Sequence, residues 1–206
     1  MSTRDKYAAL ADGFAEHEYA DPDGYSARRT QVIAGLGPPL EAGDTVLDLC
    51  CADGIMAAPL TELGLVYSGV DATEEMVAAA RKRNPGVEFT TGRMEDYKPP
   101  DPVDLTICLR SFYLAEDRVA FFSRVCGYTR KKFVFDFRPV AFPLDAVVND
   151  LRAAGFSRIE LRPFFLPQRR SLPGASLPLL SALEHTGPLG LALAKRVGCV
   201  FCSAAV

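Results

Sequence analysis

The chain predicts an α/β fold built on a parallel sheet, and three observations lead there. Short apolar runs of strand length alternate along the 206 residues with helical patterns. One of these runs, Val46-Leu47-Asp48-Leu49, carries an acid in its middle and passes directly into the small residues Cys50, Cys51, Ala52 and Gly54. Proline and glycine then punctuate the units, at Gly37-Pro38-Pro39, Asn84-Pro85-Gly86 and Gly187-Pro188. Strand and helix units in series make a parallel sheet with right-handed crossovers.

Taken in order, residues 5–18 read as one helix with Tyr7, Leu10, Phe14 and Ala15 near one face, ended by Asp21-Pro22-Asp23-Gly24. A second helix over 25–36 stops at Gly37-Pro38-Pro39, which a helix cannot cross without losing a hydrogen bond. After the acidic strand, 54–63 is a helix closed by Gly64, and 65–71 a strand. Thr73 is placed to cap the next helix, with Glu74 and Glu75 in its first turn and Arg81, Lys82 and Arg83 in its last, as the helix dipole favours. Strands follow at 87–91, 104–109 and 132–137, with a helix over 117–127 between the last two. Leu144, Val147, Val148 and Leu151 then mark an amphipathic helix that stops at Gly155, and 157–165 is a sixth strand. Residues 167–195 are too long for a hairpin loop and hold two helical patterns, 177–185 and 189–197; 200–205 is the seventh strand.

Asp48 in a doubly covered strand costs several kcal/mol, of order 2 to 7, unless neighbours donate hydrogen bonds to it. The small residues after it keep the backbone open, so a ligand can approach the main chain and the helix start. An acid at Asp71, about 20 residues beyond that turn, is where nucleotide-binding sheets accept bonds from ribose hydroxyls.

The segment Val46-Leu47-Asp48-Leu49-Cys50-Cys51-Ala52-Asp53-Gly54 resembles motif I of class I S-adenosylmethionine-dependent methyltransferases, V-L-D-x-G-C-G-x-G. Asp48, Cys51 and Gly54 match, whereas Cys50 and Ala52 replace glycines. Gly69-Val70-Asp71-Ala72-Thr73-Glu74-Glu75-Met76 resembles that family's G-x-D-x-S-x-x-M. Gly92-Arg93-Met94-Glu95-Asp96 lies where the family often has G-D-A-x-D, with Arg93 replacing the acid that bonds adenine.

The resemblance implies a Rossmann-like sheet of seven mostly parallel strands, helices on both faces and the last strand antiparallel. A helical cover over 1–40 and a lid-like insertion over 167–195 would belong to one methyltransferase domain spanning 1–206. It implies S-adenosyl-L-methionine as cofactor, with Asp71 on the ribose hydroxyls, Ala72 and Met76 bordering the adenosine and Met94 over the adenine. Asp48, Cys50, Ala52 and Gly54 would form the loop, and the main chain at Leu109 and Arg110 would meet the methionine amino group. Tyr25 and Arg29, one turn apart, would close over the methionine tail. The guanidinium of Arg110 suits a carboxylate, on cofactor or substrate.

Methyl transfer to a small-molecule acceptor follows as the expected activity, by in-line displacement with alignment and water exclusion as the protein's main tasks. The second reading is a protein that binds S-adenosylmethionine without transferring its methyl. A nicotinamide enzyme is disfavoured, because G-x-G-x-x-G is lacking after the first strand. Cover and insertion are expected to form the acceptor pocket together. His17 and His185 are the candidate general bases, one in each segment, and Tyr113 or Tyr19 the candidate orienting hydroxyl.

Composition narrows the partners. The 23 Lys and Arg are offset by 26 Asp and Glu, net −3, which argues against nucleic acid. No signal-like start or bilayer-length apolar run is read, so the expectation is a soluble cytoplasmic protein without membrane association. The six cysteines fall mostly in apolar runs and read as small buried hydrophobes; with two histidines in the chain, no metal site is expected.

Overall fold

The computed structural model describes residues 3–206. Three helices precede the sheet: α1 (Thr3–Leu10), α2 (Phe14–Glu18) and α3 (Pro22–Gly35). The strands are β1 (Thr45–Leu49), β2 (Val66–Asp71), β3 (Glu88–Thr91), β4 (Val103–Cys108), β5 (Thr129–Phe137), β6 (Arg158–Phe164) and β7 (Cys199–Ala205). Between them lie α4 (Ala57–Thr61), α5 (Glu74–Arg83), α6 (Arg118–Tyr128), α7 (Leu144–Ala153), α8 (Leu177–Glu184) and α9 (Pro188–Val197).

The seven strands form one sheet in the order β3-β2-β1-β4-β5-β7-β6. β1 to β5 run parallel, and β7 is antiparallel to both β5 and β6. Strand order reverses between β1 and β4, which opens a crevice at their carboxyl ends.

Side-chain alternation assigns the two faces. Val46, Leu105, Ile107, Val134 and Phe201 pack under α3, α4 and α5 through Ile33, Leu60 and Val77. Leu47, Leu49, Phe133, Phe135 and Cys202 pack under α6, α7 and α9 through Phe122, Leu151 and Ala194. An aromatic ladder runs through the second face, with Phe133 and Phe135 centroids 4.9 Å apart and Phe112 5.0 Å from Phe135. Such pairs add about 0.5–1.5 kcal/mol each beyond area burial. Asp48 and Asp136 alternate onto the first face, beneath α3.

Several boundaries differ from the sequence expectation for local reasons. The helix expected over 5–18 breaks at Gly13, where φ is 70°, and the Ala15 amide turns inward to donate to Asp53 Oδ2 at 3.1 Å. Asp21-Pro22 begins α3 instead of ending its predecessor: Asp21 Oδ1 accepts from the Gly24 amide at 3.0 Å and Pro22 opens the first turn. Thr73 makes no side-chain cap bond; its amide donates to Asp71 Oδ1 at 2.9 Å. The insertion does hold two helices, α8 and α9. Glu184, at the end of α8, is buried and takes the Arg28 guanidinium and the Phe165 amide, which ties α3, β6 and α8 together. No helix among the described residues is long and apolar enough to cross a membrane.

Candidate cofactor cleft

Residues 50–56 leave β1 through a tight turn. Cys50 and Ala52, the two replacements of glycine, have φ of 61° and 49°, in the left-handed region that costs a side-chain-bearing residue about 1–2 kcal/mol. Their small side chains leave the loop backbone open to the crevice. Gly54, φ 72°, has a different reason to be glycine. A Cβ there would lie 2.8 Å from Asn84, 2.9 Å from Phe89 and 3.1 Å from Ala80, so it permits close packing of the loop on α5 and β3.

Asp71 joins this loop to α5. Its Oδ2 accepts from the Ala52 amide at 3.0 Å and its Oδ1 from the Thr73 amide at 2.9 Å, which leaves outward lone pairs for a ligand. Desolvation raises its pKa, opposed by those amide bonds. Asp48 lies deeper, 2 % exposed, and accepts from the Tyr67 hydroxyl at 2.7 Å. Burial pushes its pKa up to about 7, against the Tyr67 bond and the Arg29 charge.

Arg29 reaches into the crevice from α3. Its side chain, 3 % exposed, lies 4.7 Å from the Tyr25 ring centroid and 5.6 Å from that of Tyr19, two rings that stack on each other. One nitrogen donates to the Tyr19 hydroxyl at 3.3 Å, and another lies 3.5 Å from Asp136. Asp136 also accepts from the Arg110 amide. Nε of Arg29 is buried without a hydrogen-bond partner, a cost of about 1–3 kcal/mol unless a bound group accepts from it, and Nη2 has only the 3.5 Å ion pair with Asp136.

These groups converge on a cavity of about 680 Å³ at the carboxyl ends of β1, β2 and β4. That falls within the roughly 300–1,000 Å³ of small-molecule sites. Of the residues proposed from sequence, Arg29, Asp48, Cys50, Ala52, Asp71, Ala72, Met76, Met94, Leu109, Arg110 and Tyr113 line it. Tyr25 does not: it packs behind Arg29 and faces a second cavity between α3 and the insertion. Gly54 also lies outside, for the packing reason given. His17 is exposed on the outer side of α2, and His185 is exposed at the end of α8 with Nδ1 2.6 Å from the Ser181 carbonyl. Neither reaches the cavity, because α2 turns Ala15 and Tyr19 inward and α8 packs through Glu184.

The cavity contains groups that the motifs did not point to. Tyr7, Leu10, Phe14 and Glu18 come from the N-terminal helices and Arg169 from the start of the insertion. Glu18 holds that wall together, accepting from Gln168 at 3.0 Å and Arg169 at 2.9 Å and standing 3.8 Å from Arg110. The apolar stripe of α1 was the one available signal, since its residues face something other than the sheet.

A family model for a methyltransferase domain matches residues 46–132, the stretch that supplies β1 to β4 and the loop. Solved structures of methyltransferases superpose over most of the chain, among them the magnesium protoporphyrin IX methyltransferase of Synechocystis with bound SAM, at TM-score 0.57 and 17% identity over 89% of this chain and 78% of that one. The family match identifies a methyltransferase domain over residues 46–132 of the chain.

Curated relatives of the chain include the trans-aconitate 2-methyltransferases of Mycobacterium tuberculosis, 34% identical over 96 residues, and of Rhizobium rhizogenes, 32% identical over 89. Each match covers 42% of this chain, which spans about a third (35%) of the relatives' length. A chain from the complex between the Haloferax volcanii Trm112 methyltransferase activator and a methyltransferase superposes with TM-score 0.70 and 19% identity over 99% of both chains. The [4+2]-cyclase SpnF superposes with TM-score 0.68 at 17% identity, over 98% of this chain and 94% of that one.

Proposed function

We propose that the chain binds S-adenosyl-L-methionine in this cleft and transfers its methyl group to a small-molecule acceptor. The observation that carries the reading is Asp71, whose two oxygens hold the Ala52 and Thr73 amides while facing the cavity. Ribose hydroxyls would donate to its remaining lone pairs. Met76 and Met94, which both line the cavity, would border the adenine ring. The unpartnered Nε of Arg29, beside an Nη2 held only by the 3.5 Å ion pair with Asp136, would donate to the methionine carboxylate. Cys50, Ala52 and Leu109 border the middle. When bound, the cofactor supplies an electrophilic methyl on a sulfonium; the chain's part is to hold it, align the acceptor and keep water out.

In this reading the helices within 1–40 and the insertion over 167–195 are walls of one methyltransferase domain, joined across the cavity by Glu18 and Arg169. Tyr113 on the cavity rim remains a group to orient the acceptor. The trans-aconitate relatives support a small-molecule acceptor, and a protein activator of the Trm112 kind is a partner to test by co-purification.

Calorimetry with S-adenosylmethionine and S-adenosylhomocysteine tests the reading. Micromolar binding of both is expected, and no binding at millimolar concentration would reject it. Binding without transfer is the second reading, favoured by the strained Cys50 and Ala52 where the family motif has glycine. The two separate on whether labelled methyl ever leaves the bound cofactor.

A further inference from the structure

Methyl transfer to an alcohol, a phenol or a protonated amine requires a proton acceptor within hydrogen-bond reach. Among the described residues no histidine lines the cavity. Every carboxylate that lines it is engaged. Asp71 holds the loop amides and Asp48 the Tyr67 hydroxyl. Glu18 is taken by Gln168 and Arg169, and Glu95 by Arg93 and the Glu116 amide. Using any of them as a base would break contacts that build the site.

Arg110 is the opposite case. It stands at the carboxyl end of β4 with its amide fixed on Asp136 and its φ at 57°, a conformation retained at some cost. Its guanidinium lines the cavity, and its nearest anion, Glu18 at 3.8 Å, is beyond hydrogen-bond distance and already bonded elsewhere. A fixed cation beside the place for a sulfonium is unfavourable unless an anion comes between them. Beyond Glu18 and Arg169 the cavity also has apolar lining from Leu10, Phe14 and Leu114, with Tyr113 stacked on Phe142 at 6.2 Å.

We infer that the acceptor is a small apolar carboxylic acid, bound as its carboxylate by Arg110 and methylated on oxygen. This rests on the methyl-transfer reading above. A carboxylate oxygen forms the new O–CH3 bond as the CH3–S bond breaks, and the electron pair of that bond stays on sulfur. The products are a methyl ester and neutral S-adenosylhomocysteine. No proton moves, so the cavity needs no base. Arg110 orients the nucleophile, while Arg29 is left for the cofactor's own carboxylate.

The protein loaded with S-adenosylhomocysteine is titrated with benzoate, cinnamate and octanoate and with the three matching amides. At least one acid should bind tenfold or more tightly than its amide. Arg110→Gln should lower that acid's affinity about ten- to hundredfold, the range for one charge-assisted pair, and Arg110→Lys should restore part of it. In both variants the loss in affinity for the acid should exceed any loss for S-adenosylhomocysteine. With methyl-labelled S-adenosylmethionine and the preferred acid, mild alkali should release the label as methanol. Equal binding of acids and amides, no binding of any acid to the loaded protein, or an alkali-stable labelled product would overturn the inference. Failure of the wild-type protein to bind S-adenosylhomocysteine would reject the methyl-transfer reading and this inference with it.

Discussion

Asp71 and Glu184 are two carboxylates with similar duties and opposite surroundings. Each accepts a backbone amide and a second donor, and each ties segments together. Asp71 ends β2 at the cavity wall, so its spare lone pairs face the site. Glu184 is fully buried between α3, β6 and α8, and both of its oxygens are taken. An acid with open lone pairs at a strand end serves a ligand, whereas an acid enclosed by partners distant in sequence serves the fold. The comparison extends to their segments: the loop after β1 is shaped for what it binds, and the insertion is shaped by what it leans on.

Glu184→Ala should produce the largest loss, leaving Arg28 and the Phe165 amide without an acceptor. We expect chemical denaturation to give a stability lower by about 2–4 kcal/mol, with S-adenosylhomocysteine affinity nearly unchanged. Equal losses in stability and affinity would erase the distinction drawn from the two acids.

Asp48 tests the cavity floor. Its pKa rises from 3.8 to about 7 on folding, so between those values the native chain holds a proton that the unfolded chain has released. Stability therefore falls as pH rises through that window and levels off above it, by on the order of 4 kcal/mol. Asp48→Asn should flatten the dependence of Tm on pH between 4 and 7 and raise Tm at pH 8. A wild-type Tm that does not fall across that range would show that Asp48 stays ionised.

Asp71→Ala should weaken S-adenosylhomocysteine binding by about 1.5–3 kcal/mol, read by calorimetry, with a stability loss smaller than that of Glu184→Ala. The Ala52 and Thr73 amides it abandons lie at the cavity edge, where water can reach them. Normal affinity in this variant would move the ribose elsewhere in the cavity.

The smallest effect is expected at Ala52. Glycine there relieves a positive φ at some cost in unfolded-chain entropy, for a net gain of about 0.5–1 kcal/mol in thermal or chemical denaturation. A loss instead would mean that the methyl group packs usefully at that turn.

The α/β class, the order of strands and helices, and the gathering of Asp48, Cys50, Ala52, Asp71, Ala72, Met76 and Met94 around one cavity were legible because each rests on local pattern. An acid in a short apolar run, small residues after it and a second acid about 20 residues on are all read within one stretch of chain. His17 and His185 were drawn to the site by residue type alone. The structure turns both outward, because the sides of α2 and α8 that pack inward are occupied by Ala15, Tyr19 and Glu184. Tyr25 likewise went to support Arg29 instead of meeting the cavity.

By itself, then, the sequence determined the α/β class and the cofactor loop, since hydrophobic period and turn chemistry act over a few residues. Only the tertiary structure decided which groups from distant segments meet around the cavity. Glu18 meets Arg169 and Arg110, Arg28 meets Glu184, and Arg29 meets Asp136 across separations no local pattern encodes. Those encounters depend on how α1 to α3 and the insertion lie over the sheet edge. That placement follows from the shapes and charges of surfaces that do not exist until the chain has folded.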